Sequence, residues 1–178
     1  TASGYNAAET KRTDFYDGDR AGSRYYFVME NTAATSSANF RSGQVLPGFT
    51  NKLTAFMVNP FIKYRGLEFF GIYENATGRS LAETDRRTYQ QYAAELLYRF
   101  GKEENLYFGG RYNGVKGETS AGEDIDVTRF NIGGGWFMTK NILVKLEYVN
   151  QKYDGFAATN ILNGGKFNGF MAEAAISF

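Results

Sequence analysis

The chain has 178 residues, enough for one domain with its own core or for one small closed β-barrel. Its 20 Lys and Arg against 19 Asp and Glu leave a formal net charge of +1, which gives no electrostatic case for nucleic acid. It has neither Cys nor His, which excludes disulfide scaffolds, thiolate metal sites, serine–histidine triads, histidine general bases and most zinc chemistry.

Gly (21), Phe (16) and Tyr (13) are abundant and Pro (2) is scarce, a balance that favours strands over helices. Residues 1–21 read as a loop, with Thr1 to Tyr5 as a candidate tail of an earlier strand. The start at Thr1, without Met or signal peptide, leads us to expect a processed form or a piece of a longer chain. Period-two alternation then predicts eight strands, near 22–30, 53–65, 67–78, 88–100, 105–116, 126–138, 142–153 and 166–178. Pro60 falls inside the second and predicts a bulge or kink there. Short connectors at Tyr64–Gly66, Gly101–Glu104 and Thr139–Asn141 alternate with long polar ones at 31–52, 79–87, 117–125 and 154–165. Membrane barrels sort their connectors in this way, with tight turns at one rim and loops at the other. No apolar run is long enough for a membrane-spanning helix, but a spanning strand needs only about ten alternating residues.

The two faces of each strand differ in chemistry. Phe170, Ala172, Ala174, Ile176 and Phe178 share one face of the last strand, opposite Met171, Glu173, Ala175 and Ser177. Phe130, Ile132, Gly134, Trp136 and Met138 oppose Arg129, Asn131, Gly133 and Gly135. The other strands repeat the pattern, one face apolar through its middle and the other polar, charged or Gly. Alternation alone fits two barrels: one with its apolar face toward lipid, and a soluble one with that face inside. Aromatics gather near the short turns at Tyr64, Tyr98, Phe100, Trp136 and Phe178, as an interfacial girdle requires, and this favours lipid. Phe170 and Ile176 then face lipid too.

The inward charges carry the functional content under that reading. They are Arg24, Lys63, Arg65, Arg99, Arg111, Arg129 and Lys145 with Glu30, Glu68, Glu74, Glu95, Glu147 and Glu173. Counted from the short turns, Glu95, Arg111, Glu147 and Glu173 reach similar heights, as either a selectivity ring or a set of lining salt bridges. Three motifs are set aside. Gly133-Gly134-Gly135 sits inside a strand, so it reads as room for bulky neighbours or a bend and not as a phosphate loop. Asn163-Gly164-Gly165-Lys166-Phe167 lacks the upstream Gly and the Ser/Thr of a phosphate-binding lysine motif. The acidic runs around Asp14–Asp19 and Glu123–Asp126 lack calcium-loop spacing and read as solvated loops. No metal, cofactor or catalytic residue is expected; a lipid-acting membrane enzyme would ordinarily need histidine.

Several blocks carry a family likeness. Arg99-Phe100, Glu104-Asn105-Leu106-Tyr107, Arg111-Tyr112-Asn113, Gly135 to Leu143, Glu147 to Tyr153 and Asn163 to Phe170, with Gly18 to Tyr26 earlier, resemble porin-like outer-membrane proteins of Bacteroidetes, of the phosphate-selective-porin type. The blocks from Trp136 onward are the most specific. The terminal Phe178 resembles the assembly signal of bacterial outer-membrane barrels. The resemblance implies an all-β antiparallel transmembrane barrel in the bacterial outer membrane, with this chain as the C-terminal half of a barrel of about sixteen strands. Length alone favours a closed eight-stranded barrel whose interior is filled. The expected function is passive diffusion of small polar or charged solutes through a mixed-charge lumen; the alternative is a closed structural or interaction barrel. Expected partners are outer-membrane lipid, the barrel-assembly machinery acting on the C-terminal strand, and other envelope proteins or further strands of the same barrel.

Overall fold

The computed structural model describes residues 1–14, 16, 35, 37 and 44–177. The strand expected at 22–30, with Arg24 and Glu30, and the terminal Phe178 lie outside the described residues. The fold is all-β and antiparallel. Its strands are β1 (Ala2–Ala7), β2 (Lys52–Val58), β3 (Phe61–Tyr64), β4 (Leu67–Arg79), β5 (Arg87–Phe100), β6 (Leu106–Glu118), β7 (Asp124–Thr139), β8 (Ile142–Asp154) and β9 (Lys166–Ile176). They form one sheet in the order β1-β2-β4-β5-β6-β7-β8-β9, with β3 also on β4. Among the described residues β1 and β9 do not pair with each other, so the sheet is open.

Among the described residues nine strands stand where seven of the eight expected ones fall, for two reasons. β1 is a strand of its own, running from Ala2 opposite Val58 to Ala7 opposite Leu53. The ribbon expected at 53–65 is cut into β2 and β3 at Asn59-Pro60. The cut is not a bulge: Val58 faces Tyr73 and Phe61 faces Phe70, so both sides advance three residues and the register holds. Pro60 has no N–H to donate, yet its carbonyl still accepts from Gly71 N at 2.9 Å. One ladder bond is lost and nothing is displaced.

Up-and-down order puts alternate connectors at opposite rims. The turn rim carries 65–66, 101–105 and 140–141, and the loop rim carries 80–86, 119–123, 155–165 and the segment joining β1 to β2. Arg65 (φ 44°) and Gly66 (φ 80°) make a two-residue hairpin, and a Cβ on Gly66 would lie 2.5 Å from Arg99 O. The length contrast is weaker than the sequence suggests. Lys116 opposite Asp126 and Glu118 opposite Asp124 extend the β6–β7 ladder, which leaves only residues 119–123 as its connector.

Exposure is inverted relative to a soluble sheet packed on its apolar side. On β5, Arg87, Tyr89, Gln91 and Ala93 are buried and Glu95, Leu97 and Arg99 half-buried, whereas Ala94, Leu96, Tyr98 and Phe100 on the opposite face are exposed. The other long strands share this phase. The polar face is therefore the sheltered, concave one, and the apolar face is convex. Every exposed large apolar side chain among the described residues stands on the convex face, apart from Leu46, Phe61, Leu81 and Ile161.

The concave face has two zones. Toward the loop rim it is dry: Phe49, Val45, Tyr16, Phe156 and Leu162, from the connectors, pack on Leu53, Ala76, Tyr89, Val115, Ile125, Val127 and Tyr153 of the strands. Toward the turn rim it is charged and open. The glycines at 133 and 135 serve close packing on this face. A Cβ on Gly135 would sit 2.3 Å from the Tyr107 ring, and one on Gly133 would sit 2.7 Å from Cβ of Glu147.

Candidate functional site

The charged zone is built by register. Lys63 faces Glu68, Glu95 faces Arg111, and Lys145 faces Glu173, each across one strand pair. Glu68 accepts Arg99 Nε at 2.8 Å and lies 2.9 Å from Lys63 Nζ, which also donates to Glu104 at 3.2 Å. The Arg99 guanidinium sits 5.7 Å from the Tyr107 ring and 5.5 Å from the Phe137 ring, two rings that are themselves in contact at 6.2 Å. Arg111 lies 3.6 Å from Glu95 and donates to Asn113 Oδ1 at 2.8 Å. Lys145 and Glu173 are 2.8 Å apart. Each of these bases thus has an acid on an adjacent strand, which keeps the face near neutral while leaving it strongly polar.

Two depressions open on this face. One of ≈ 260 Å³ is lined by Glu95, Arg99, Tyr107, Arg111, Lys145 and Glu147. The other, ≈ 620 Å³, lies at the turn rim among Lys63, Glu68, Arg99, Lys102, Glu104 and Lys140. Each is large enough for water or a small polar solute.

The expected lumen residues separate into groups. Lys63, Glu68, Glu95, Arg99, Arg111, Lys145, Glu147 and Glu173 share the charged zone. Glu74 and Arg129 point the same way but lie under the dry zone, 2% and 4% exposed. Glu74 accepts Gln91 Nε2 at 3.2 Å, and Arg129 donates to Asn131 at 2.9 Å and to Gln151 at 3.2 Å. Arg65 is not on the strand face: it sits in the β3–β4 turn with its guanidinium over Tyr64. Glu95, Arg111, Glu147 and Glu173 do not form one row. Glu147 faces Gly133 two residues nearer the turn rim than the Glu95–Arg111 row, and Glu173 faces Lys145 two residues further on.

The convex face carries a feature beyond the one girdle expected. Tyr64, Tyr98, Phe100, Phe108 and Trp136 stand near the turn rim, with Tyr98 and Phe100 stacked at 6.1 Å. A second aromatic row lies nearer the loop rim: Phe56, Tyr73, Tyr92, Tyr112, Phe130, Tyr148 and Phe170. Its neighbours touch, Phe56–Tyr73 at 5.8 Å, Tyr92–Tyr112 at 6.0 Å and Tyr148–Phe170 at 5.5 Å. Val58, Ile62, Leu96, Ile132, Val144, Leu146 and Ile176 complete the apolar band along with Ala and Gly. From Tyr92 to Phe100 the band spans eight steps on β5, about 26 Å along the strand. Eight residues separate Tyr64 from Phe56 and Phe100 from Tyr92, but six separate Trp136 from Phe130 and four separate Phe108 from Tyr112, so no single count from the turns locates the second row.

A latch at the loop rim was also missed, because three of the groups that meet Arg87 there, at Pro47, Phe49 and Glu118, lie far from it in sequence. Arg87, 7% exposed, pairs with Glu83, donates to Glu118 O at 2.6 Å and to Pro47 O at 2.8 Å, and covers the Phe49 ring at 5.1 Å. Glu83 also accepts Ser80 N at 2.8 Å. The Arg87 guanidinium, followed by Ser80, holds the Glu83 carboxyl down at about 2.

No family model matches the chain, and no curated protein matches it.

Proposed function

We propose that the chain is a set of membrane-spanning strands of an outer-membrane β-barrel of the porin-like type, through whose charged interior small polar or charged solutes pass by diffusion. The observation that carries this reading is the inverted exposure: the apolar side of every long strand faces out, and the ionised side is sheltered. Burying one large apolar side chain is worth about 1.5–3 kcal/mol, so a convex face of Leu, Ile, Phe, Tyr and Trp left in water forgoes tens of kcal/mol. Acyl chains supply the missing apolar surroundings. The aliphatic band between two aromatic rows has the layout of a lipid-facing barrel wall, with each row at headgroup level.

In lipid an unpaired strand edge leaves backbone groups unsatisfied at several kcal/mol each. The edges of β1 and β9, unpaired among the described residues, therefore call for further strands, and a portion of a larger barrel of about sixteen strands supplies them. The test is conductance. The protein reconstituted in planar bilayers is expected to give discrete steps, and a silent bilayer with demonstrably inserted protein would remove the channel reading.

One observation favours a second reading. The dry cluster around Phe49, Tyr89 and Phe156 covers the concave face at the loop rim, as in a closed barrel that serves as a structural or interaction subunit. That reading expects insertion without conductance.

A further inference from the structure

On the convex faces of β8 and β9, cross-strand pairs run in a graded column. Val144 faces Ala174, Leu146 faces Ala172, Tyr148 faces Phe170, Asn150 faces Asn168, and Lys152 faces Lys166. The sequence from turn rim to loop rim is aliphatic, aromatic, amide and then cation. The last pair is anomalous. Two like charges directly opposite on adjacent strands repel and destabilise the sheet. Both lysines are exposed. The other strand cations at this height on the convex face each have an acid: Lys52 and Arg79 share Glu9, and Lys116 lies 3.5 Å from Asp126. Lys152 and Lys166 have no ion pair among the described residues, and the carboxylates nearest in register, Asp126 and Asp154, stand further toward the loop rim. Lysine commonly blunts a sheet edge, but Lys152 is on the interior strand β8, so that explanation does not reach it.

We propose that Lys152 and Lys166, with the amides of Asn150 and Asn168 beneath them, form a binding site for the phosphate of an anionic lipid headgroup in the surrounding leaflet. The inference rests on the membrane reading above. Under that reading the Tyr148–Phe170 pair marks the headgroup boundary, and the lysines stand four residues beyond it, about 13 Å further along the tilted strand. A phosphate between the two ammonium groups turns their repulsion into attraction, and the Asn side chains add N–H donors from below. Acyl chains of the same lipid then lie along Leu146, Val144 and the alanines of β9. The occupant is thus a phospholipid held at both ends, and a free phosphate would gain only the upper half of the site.

The test uses the chain refolded into phosphatidylcholine vesicles with and without phosphatidylglycerol, floated on a density gradient, extracted gently and weighed intact by native mass spectrometry. Flotation with phosphatidylcholine alone reads membrane insertion; its failure overturns the membrane reading and this site with it. Given flotation, the native chain is expected to retain phosphatidylglycerol over phosphatidylcholine. The Lys152→Gln/Lys166→Gln pair is expected to lose that preference several-fold. Lys166→Glu, which relieves the repulsion and so does not threaten folding, is expected to lose it equally. Lys102→Gln/Lys140→Gln at the opposite rim is expected to keep it. Equal retention by the Lys152/Lys166 variants, equal loss in the Lys102/Lys140 control, or displacement of phosphatidylglycerol by inorganic phosphate would each overturn the site.

Discussion

The Tyr107 ring occupies the space in which Gly135 would carry a Cβ, 2.3 Å from the nearest ring atom. The same ring, with Phe137, holds the Arg99 guanidinium beside Glu68. One missing side chain on β7 therefore positions an ion pair between β4 and β5. Gly135→Ala is expected to push Tyr107 off its position and destabilise the fold by about 1–3 kcal/mol, the usual range for overpacking. Gly134→Ala is the comparison: its Cβ points to the convex face and meets the Tyr107 carbonyl at 2.7 Å, a backbone atom that cannot swing away as a ring can, so it is expected to destabilise at least as much while leaving the Tyr107 ring against Arg99. Urea unfolding of both in detergent measures the difference.

Charge reversal on the concave face has position-dependent outcomes. Arg111 and Lys145 line the open depression, so Arg111→Glu with Lys145→Glu is expected to shift the reversal potential under a salt gradient toward cation preference, at a cost of up to about 1 kcal/mol each from the new carboxylates opposite Glu95 and Glu173, too little to unfold the sheet. Arg129 is 4% exposed beneath the dry cluster. Arg129→Glu removes a buried cation and is expected to cost about 3–5 kcal/mol, appearing as lost folding and not as altered selectivity. Heat-modifiable gel mobility separates the two effects.

Adjacent residues on β5 face opposite surroundings. Leu96 is 53% exposed on the convex side, and Leu97 is half-buried on the concave side. Leu96→Arg is expected to impair insertion into vesicles by about 2–4 kcal/mol, the range for a cation at the middle of a barrel wall. Leu97→Arg joins the charged zone and is expected to insert nearly as the native chain does. Refolding titrations in urea with phosphatidylcholine vesicles give both values.

The Glu83–Arg87 latch makes the loop rim sensitive to acid. The folded-state pKa of Glu83, about 2, lies below that of the unfolded chain near 4.3. Its contribution is therefore complete above about pH 5 and fades as the pH falls through 4.3 toward 2, on the order of 3 kcal/mol in all. Glu83→Gln is expected to be less stable at neutral pH and to lack this part of the acid slope. Chemical denaturation from pH 7 to pH 2 checks both.

Much of the fold was legible because the strands are long and one-sided. Period two along 88–100, 105–116, 126–138 and 142–153 gave both the strands and the membership of each face. β1 was harder to read: Ser3, Gly4 and Asn6 show no apolar alternation, and the strand owes its form to pairing with β2 some fifty residues away. Pro60 suggested a bulge because sequence shows the missing donor but not the register that survives it. The heights of Glu147 and Glu173 depended on pairing offsets that counting from turns does not supply. The dry cover over Glu74 and Arg129 comes from single residues, Phe49, Phe156 and Leu162, scattered through polar connectors, where no periodicity marks them.

The most direct measurement of which face meets lipid uses the absence of cysteine, which lets single cysteines be introduced and spin-labelled one at a time. Labels at 96, 97, 170 and 171 in vesicles are compared for collision with oxygen, which concentrates in acyl chains, and with a water-soluble nickel chelate. Expected is strict alternation, with 96 and 170 open to oxygen and 97 and 171 open to nickel. The reverse order, or equal access at neighbouring positions, would contradict the assignment.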